Sequence, residues 1–189
     1  CKVDEVLLMP EMEGLRLHLE RQLPAASVES RYPLPRLRWL DMVVRTQTQD
    51  SVHAAQMMRE EGVAALLILG GDGTHRAVIK GCRDIPVAGI STGTNNAFPP
   101  MREVTVTAWA AGLYAAKRVP DEYALRSNKL LHIRPFDAQG RAKPEDVALI
   151  DAAVLNEAIL GAKAISQTDT LRTIISTRAS IEAVGLSAI

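Results

Sequence analysis

Two short polar turns and one dipeptide hold the residue types in this chain that could do chemistry. The first turn is Gly70-Gly71-Asp72-Gly73-Thr74, which closes the apolar run 66–69. Glycines let backbone approach a ligand closely, and Asp72 sets one carboxylate inside the turn. The spacing predicts a helix over 75–81 with Thr74 as its cap. A strand, a glycine-rich turn and a helix start together make an anion site, because free N–H groups and the helix dipole point at the ligand. The chemistry expected is phosphate binding beside a carboxylate. A strand ending in a tight turn would account for Gly-Asp-Gly alone, but five such residues in a row favour the phosphate site.

The second turn, Gly93-Thr94-Asn95-Asn96, follows the apolar run 85–90. Its amides donate and accept, which suits ribose hydroxyls or a base edge. A third polar turn over 46–51 offers Thr46 as a weaker phosphate contact. All three follow expected strands. In an open parallel sheet, ligands bind beyond the carboxyl ends of the strands, so the turns should share one rim. There is no Gly-Lys-Ser/Thr after the glycines, which excludes the P-loop. Gly71-Asp72-Gly73-Thr74-His75-Arg76 has no third glycine, which excludes the dinucleotide fingerprint.

The elements that must hold these turns alternate. Strands are expected at 6–9, 40–45, 63–69 and 85–90, and helices at 11–23, 52–61, 75–81 and 102–119. Pro24 should end the first helix. Ser51 should cap the second, and Gly62 stands where a C′ glycine belongs. On the long helix Val106, Trp109 or Ala110, Leu113 and Ala116 should face inward. This alternation implies βαβ units and a parallel sheet covered on both faces. Near residue 121 the rhythm changes to strand-like runs at 125–136, 147–160, 171–177 and 181–189. The expected organisation is therefore a Rossmann-like, parallel-sheet α/β domain over 1–120 and a mostly β, incomplete second domain over 121–189.

Composition narrows the function classes. The 189 residues carry 22 basic and 22 acidic side chains and only 4% aromatics, which argues against nucleic acid and against a membrane surface as partner. No apolar run approaches the ~20 residues that span a bilayer, and none has the make-up of a signal peptide. Cys1 and Cys82 form no disulfide or metal spacing, so a reduced cytoplasmic setting is expected. A start at Cys1 and an apolar end at Ile189 read as a piece of a longer protein. Lone residues have plain readings: His75 as a solvated helix-start residue, Cys82 as core.

The 70–74 turn is similar to the signature of the ATP-NAD kinase and diacylglycerol kinase superfamily. Gly93-Thr94-Asn95-Asn96-Ala97-Phe98 resembles the Gly-Thr-Gly-Asn-Asp-Phe segment of the lipid-kinase branch, and Asn156-Glu157 resembles the Asn-Glu motif of NAD kinases. The wider runs 66–99 and 161–171 look closest to the acetoin catabolism protein X branch. The resemblance spans about residues 40–165. It implies a two-domain kinase that clasps a nucleotide between an α/β domain and a β-sandwich, and transfers the ATP γ-phosphate to a hydroxyl with Mg²⁺. Asp72 would act as base or through Mg²⁺-bound water, and Gly70, Gly71, Gly73 and Thr74 would cradle phosphate. Gly93, Thr94, Asn95 and Asn96 would line the nucleotide site, and Asn156 and Glu157 would hold ribose hydroxyls. NAD would be ligand or substrate, and a homo-oligomer is expected by analogy. Three departures stand beside this: the upstream Asn-Pro and Ser-Gly strand, the second Gly-Asp-Gly and the Gly-Ser-Thr-Ala stretch are absent. The other readings are a nucleotide-binding accessory or sensor protein without kinase activity, and a lipid kinase.

Overall fold

β1 (Glu5–Leu8) and β2 (Arg36–Trp39) form a parallel pair in a computed structural model that describes residues 3–12, 14–29, 33–93, 96–156 and 169–178, with 25–29 described by backbone alone. The chain divides into two compact units, Cys1–Thr92 with Pro99–Arg126, and Gly93–Phe98 with Ser127–Ile189.

In the first unit, β2 lies four residues before the strand expected at 40–45. Arg36-Leu37-Arg38-Trp39 alternates polar and apolar, and the cations are met by acids. Glu5 Oε1 lies 2.6 Å from Arg36 and 3.4 Å from Arg38, and Arg38 forks onto Glu61 at 3.1 and 2.8 Å. The apolar residues beyond it do not continue the strand; Val43 is 75% exposed. α1 (Leu15–Glu29) runs through Pro24 rather than ending there. Proline removes one helical hydrogen bond, but Pro24 is exposed, so water can take the carbonyl it leaves. The Arg16 guanidinium sits 5.6 Å over the Trp39 ring.

α2 (Thr48–Glu60) starts four residues before the expected position, with Gln47 and not Ser51 as N-cap. It ends as expected at Gly62, which takes φ +72°. β3 (Leu66–Gly70) pairs in parallel with β4 (Val87–Ser91), from Leu66↔Val87 to Gly70↔Ser91. Leu66, Ile68 and Gly70 are buried and Leu67 and Leu69 exposed, the period-2 pattern of a strand covered on one face. The cover expected on both faces is therefore incomplete. Nor do the four strands form one sheet: β1–β2 and β3–β4 are separate pairs among the described residues.

α3 (Asp72–Cys82) packs on α2, and Ala55, Leu66, Ile68 and Cys82 form the core beside them. A Cβ on Gly81 would run into the Val52 carbonyl, so the helices meet this closely only over glycine. α4 (Val104–Ala115) is shorter than the helix expected at 102–119, and its faces are not those expected. Val106 and Trp109 are 65% and 77% exposed, while Thr107 is buried and its hydroxyl donates to Glu103 O. The helix has no charged residue, so no polar stripe marks its outer face. α5 (Asp121–Ala124) closes the unit.

In the second unit, β5 (Leu131–Ile133) pairs antiparallel with β6 (Asp146–Ala148), and β7 (Asp151–Leu155) with β8 (Leu171–Ser176). The run expected as one strand over 147–160 is split at residues 149–150. The turn in the first hairpin is held by the Asp137 carboxylate, which accepts from Gln139 N and Arg141 N, both at 2.9 Å. The strand expected at 181–189 lies outside the described residues. Among those described, no helix is long and apolar enough to cross a membrane.

Candidate functional site

β3 delivers the chain to the glycine-rich turn and α3 begins at once. Gly71 is the N-cap, extended at φ −91°, ψ −172°, with no side-chain cap. Asp72, Gly73 and Thr74 are the first three helical residues. Thr74 is therefore not the cap expected of it: the helix starts three residues earlier, because glycine at N-cap is itself favourable. Thr74 instead lies against Gly70, where a Cβ would come within 2.6 Å of its hydroxyl. A Cβ on Gly73 would meet nothing within 4 Å, and Gly73 is exposed. The first N–H groups of an α-helix have no acceptor inside it, and here the N-cap glycine has no side chain to supply one.

His75 fixes this start. It is fully buried, not the solvated residue its position suggests. Its backbone N–H donates to Gly71 O at 3.1 Å, and its Nδ1 lies 2.9 Å from the same oxygen. A carbonyl can only accept, so Nδ1 carries the proton. Burial pushes the imidazole pKa below its usual 6.5, against the Gly71 carbonyl and the Asp72 charge, which raise it. The ring is neutral at pH 7 and holds the N-cap carbonyl from below. Its other side presses on β4: a Cβ on Gly89 would sit 2.6 Å from His75 Nε2 and 2.6 Å from Pro99 Cβ. The sequence marks His75 as a solvated residue and does not single out Gly89. The available signal was that His75 stands four residues after Gly71, the spacing that stacks two residues on one helix face.

The other predicted residues are placed as follows. Gly70 and Ser91 end β3 and β4 side by side, so the two polar turns leave the same end of that pair; Thr92 N donates to Gly70 O at 3.4 Å. The segment Gly93–Phe98 belongs to the second unit. There Asn96 covers Gly93, where a Cβ would come within 2.7 Å of Asn96 Nδ2. Thr94 and Asn95 lie outside the described residues. Asn156 is exposed just after β7 and its N–H donates to Thr170 O at 2.9 Å, while Glu157 lies outside the described residues. The structure thus gathers Gly70, Gly71, Asp72, Gly73 and Thr74 at one helix start.

Thr46 has different surroundings. It takes φ +55°, unusual for a β-branched residue, and its hydroxyl donates to Arg45 O at 2.7 Å. The N–H groups beside it are already used. Asp50 Oδ2 accepts from Arg45 N at 2.9 Å and Gln47 N at 3.0 Å, and these backbone bonds, Gln47 first, lower the Asp50 pKa. This turn binds its own carboxylate.

Residues 11–118 match the family model of the ATP-NAD kinase N-terminal domain. The chain belongs to the ATP-NAD kinase family. Residues 129–189 match the acetoin catabolism protein X C-terminal domain. Over all 189 residues the chain is 48% identical to acetoin catabolism protein X of Cupriavidus necator, and it covers 52% of that protein. It thus spans about half the length of the curated relative it matches. No solved structure matches. Within this family assignment, the 70–74 and 93–98 turns fall in the first matched stretch and Asn156-Glu157 in the second.

Proposed function

We propose that the chain is a nucleotide-binding, kinase-like part of a protein that acts in acetoin catabolism, transferring the γ-phosphate of ATP to a hydroxyl on a small acceptor. The observation that supports this most is the start of α3, where a glycine N-cap without a capping side chain opens directly from β3 in an ATP-NAD kinase family chain. The N–H groups of Gly73 and Thr74 would take phosphate oxygens. Asp72 would orient the acceptor hydroxyl and take its proton. Phosphoryl transfer is mostly positioning and charge neutralisation, so such a set can suffice.

Mg²⁺ fits this site in one form. Among the described residues no cluster of three His, Cys, Asp or Glu could cage a metal, but Mg²⁺ commonly takes one or two carboxylates, substrate phosphates and water. Asp72 would reach it through a metal-bound water, and the metal would neutralise phosphate charge. Asn156 and Glu157 would hold ribose hydroxyls, with NAD as ligand or substrate. A sandwich-like second domain and a homo-oligomer rest on the resemblance alone, and a cytoplasmic setting rests on the cysteine usage of the sequence.

Asp72→Asn in the whole protein tests the reading. Expected is a fall of about 10²-fold or more in phosphoryl transfer with Tm unchanged; full activity would overturn the role. A second reading, nucleotide binding without turnover, is favoured by one observation: residues 121–189 contain neither a second Gly-Asp-Gly nor Gly-Ser-Thr-Ala. It predicts stabilisation by NAD, ATP or ADP, about 2.7 kcal/mol at a hundred times Kd, and no product from any hydroxyl acceptor.

A further inference from the structure

A cavity of about 400 Å³ lies wholly within the second unit, in the volume range of small-molecule sites. Its buried lining is Ile150 and Thr177, with half-buried Leu149 and Phe98 beside them. Thr177 fixes that lining: its N–H donates to Ile150 O at 2.7 Å, and its hydroxyl lies 3.0 Å from both Leu149 O and Ile150 O. The exposed lining is polar and cationic. Lys129 brings an ammonium, flanked by Ser127 and Asn128, and Arg178 brings a guanidinium. Arg178 is held in place because its Nη2 donates to Ala97 O at 2.5 Å. A guanidinium has five N–H donors, so that bond leaves most of its fork available.

The balance of charge decides what fits. Among the described residues, no acidic side chain lines the cavity. Among the described residues, the ion pairs involve neither Lys129 nor Arg178. Two cations beside hydroxyl and amide donors, over an apolar base, suit a ligand with an anionic head and a carbon skeleton. We propose that this cavity binds a small organic anion, a carboxylate or a phosphate ester. Lys129 and Arg178 meet its charge, and Phe98, Leu149 and Ile150 meet its apolar part. Arg offers the planar fork that both oxyanions accept, and Lys adds a point charge. The site shares no residue with the 70–74 turn, and it stands whether or not that turn transfers phosphate.

Calorimetric titration of the whole protein with phenyl phosphate, benzoate and inorganic phosphate tests it. Saturable binding is expected for at least one organic anion, and the first two arms tell a phosphate from a carboxylate ligand. Inorganic phosphate should bind at least tenfold more weakly than the organic anion that binds, for want of an apolar part. Lys129→Gln and Arg178→Gln should each weaken binding tenfold or more, while Lys129→Arg restores it. Lys129 is exposed, so its variants keep the fold even if Arg178→Gln disturbs the Ala97 bond. The proposal is overturned if neither organic anion saturates, or if Lys129→Gln binds as wild type does. Equally tight inorganic phosphate that Lys129→Gln weakens in parallel would also overturn it.

Discussion

α2 and α3 are neighbouring helices of similar length, and they treat their N-termini in opposite ways. α2 closes its start with the carboxylate of Asp50, which accepts from the N–H of the N-cap Gln47 and from Arg45 N. α4 does the same with Glu103, which accepts from Thr105 N and Val106 N at 3.0 and 2.7 Å. α3 has a glycine N-cap and no capping side chain. A capping carboxylate would stabilise the helix but would fill the place an anion would take. The difference shows where the chain forgoes local stability, and His75 shows the compensation, since it anchors the Gly71 carbonyl from inside the core instead of capping N–H groups from outside.

If that anchor matters, the largest effect should come from displacing it. Gly89→Ala puts a Cβ 2.6 Å from His75 Nε2 and Pro99 Cβ, and both neighbours are buried. Overpacking of this kind costs about 1–3 kcal/mol. Thermal unfolding should show the loss, and nucleotide binding should fall with it at temperatures where the variant is folded. A Gly89→Ala protein with unchanged Tm and unchanged binding would mean the ring is not the support described. The next effect closes the open helix. The Gly71 backbone at φ −91° suits any residue, so Gly71→Asp should cap α3 as the N-cap Glu103 caps α4. Nucleotide binding should weaken about tenfold or more, roughly 1.4 kcal/mol, with Tm equal to or above wild type. Tight binding in that variant would break the contrast between the two helices.

How much of this was legible in the sequence follows the range of each signal. The 70–74 turn was legible because its glycines are consecutive and close an apolar run. Gly62 was legible as a helix stop for the same local reason. β2 was misplaced because Arg36 and Arg38 look like loop residues until Glu5 and Glu61, far away in the chain, are brought to them. The α4 face was misread because a helix without charges carries no period to read. His75 is the instructive case: its solvated reading is the ordinary one for a residue near a helix start, and only the packing of β4 at Gly89 reveals that the ring is enclosed. Thr46 is the opposite case. Its turn does gather backbone N–H groups, but the acceptor for them stands four residues on, in Asp50.

The closed helix supplies the next prediction. Asp50→Ala should lower Tm by a few degrees, about the 2–4 °C that a typical cap loss produces at this size. Nucleotide binding should persist, since the Arg45 and Gln47 N–H groups serve Asp50 and not a ligand. Loss of binding with little change in Tm would return the 46–51 turn to the site.

The smallest effect is a pH dependence, and it separates the two helices by the group that titrates. Unfolded, His75 takes a proton near pH 6.5; buried in the fold, it does so only at lower pH. Between those values the unfolded chain binds more protons, so stability rises with pH across the window. The contribution is complete above about pH 6.5 and is lost as pH falls through the folded pKa. Asp50 also has a lowered pKa, but its contribution is held down to the carboxylate range, near 3.8, and is lost only below it. Thermal unfolding followed from pH 7.5 to 5 should therefore show a decline in wild type that Asp50→Ala retains and His75→Asn flattens, because the amide can still donate to Gly71 O but takes no proton. If His75→Asn declines as steeply as wild type, the buried imidazole is not what holds the start of α3.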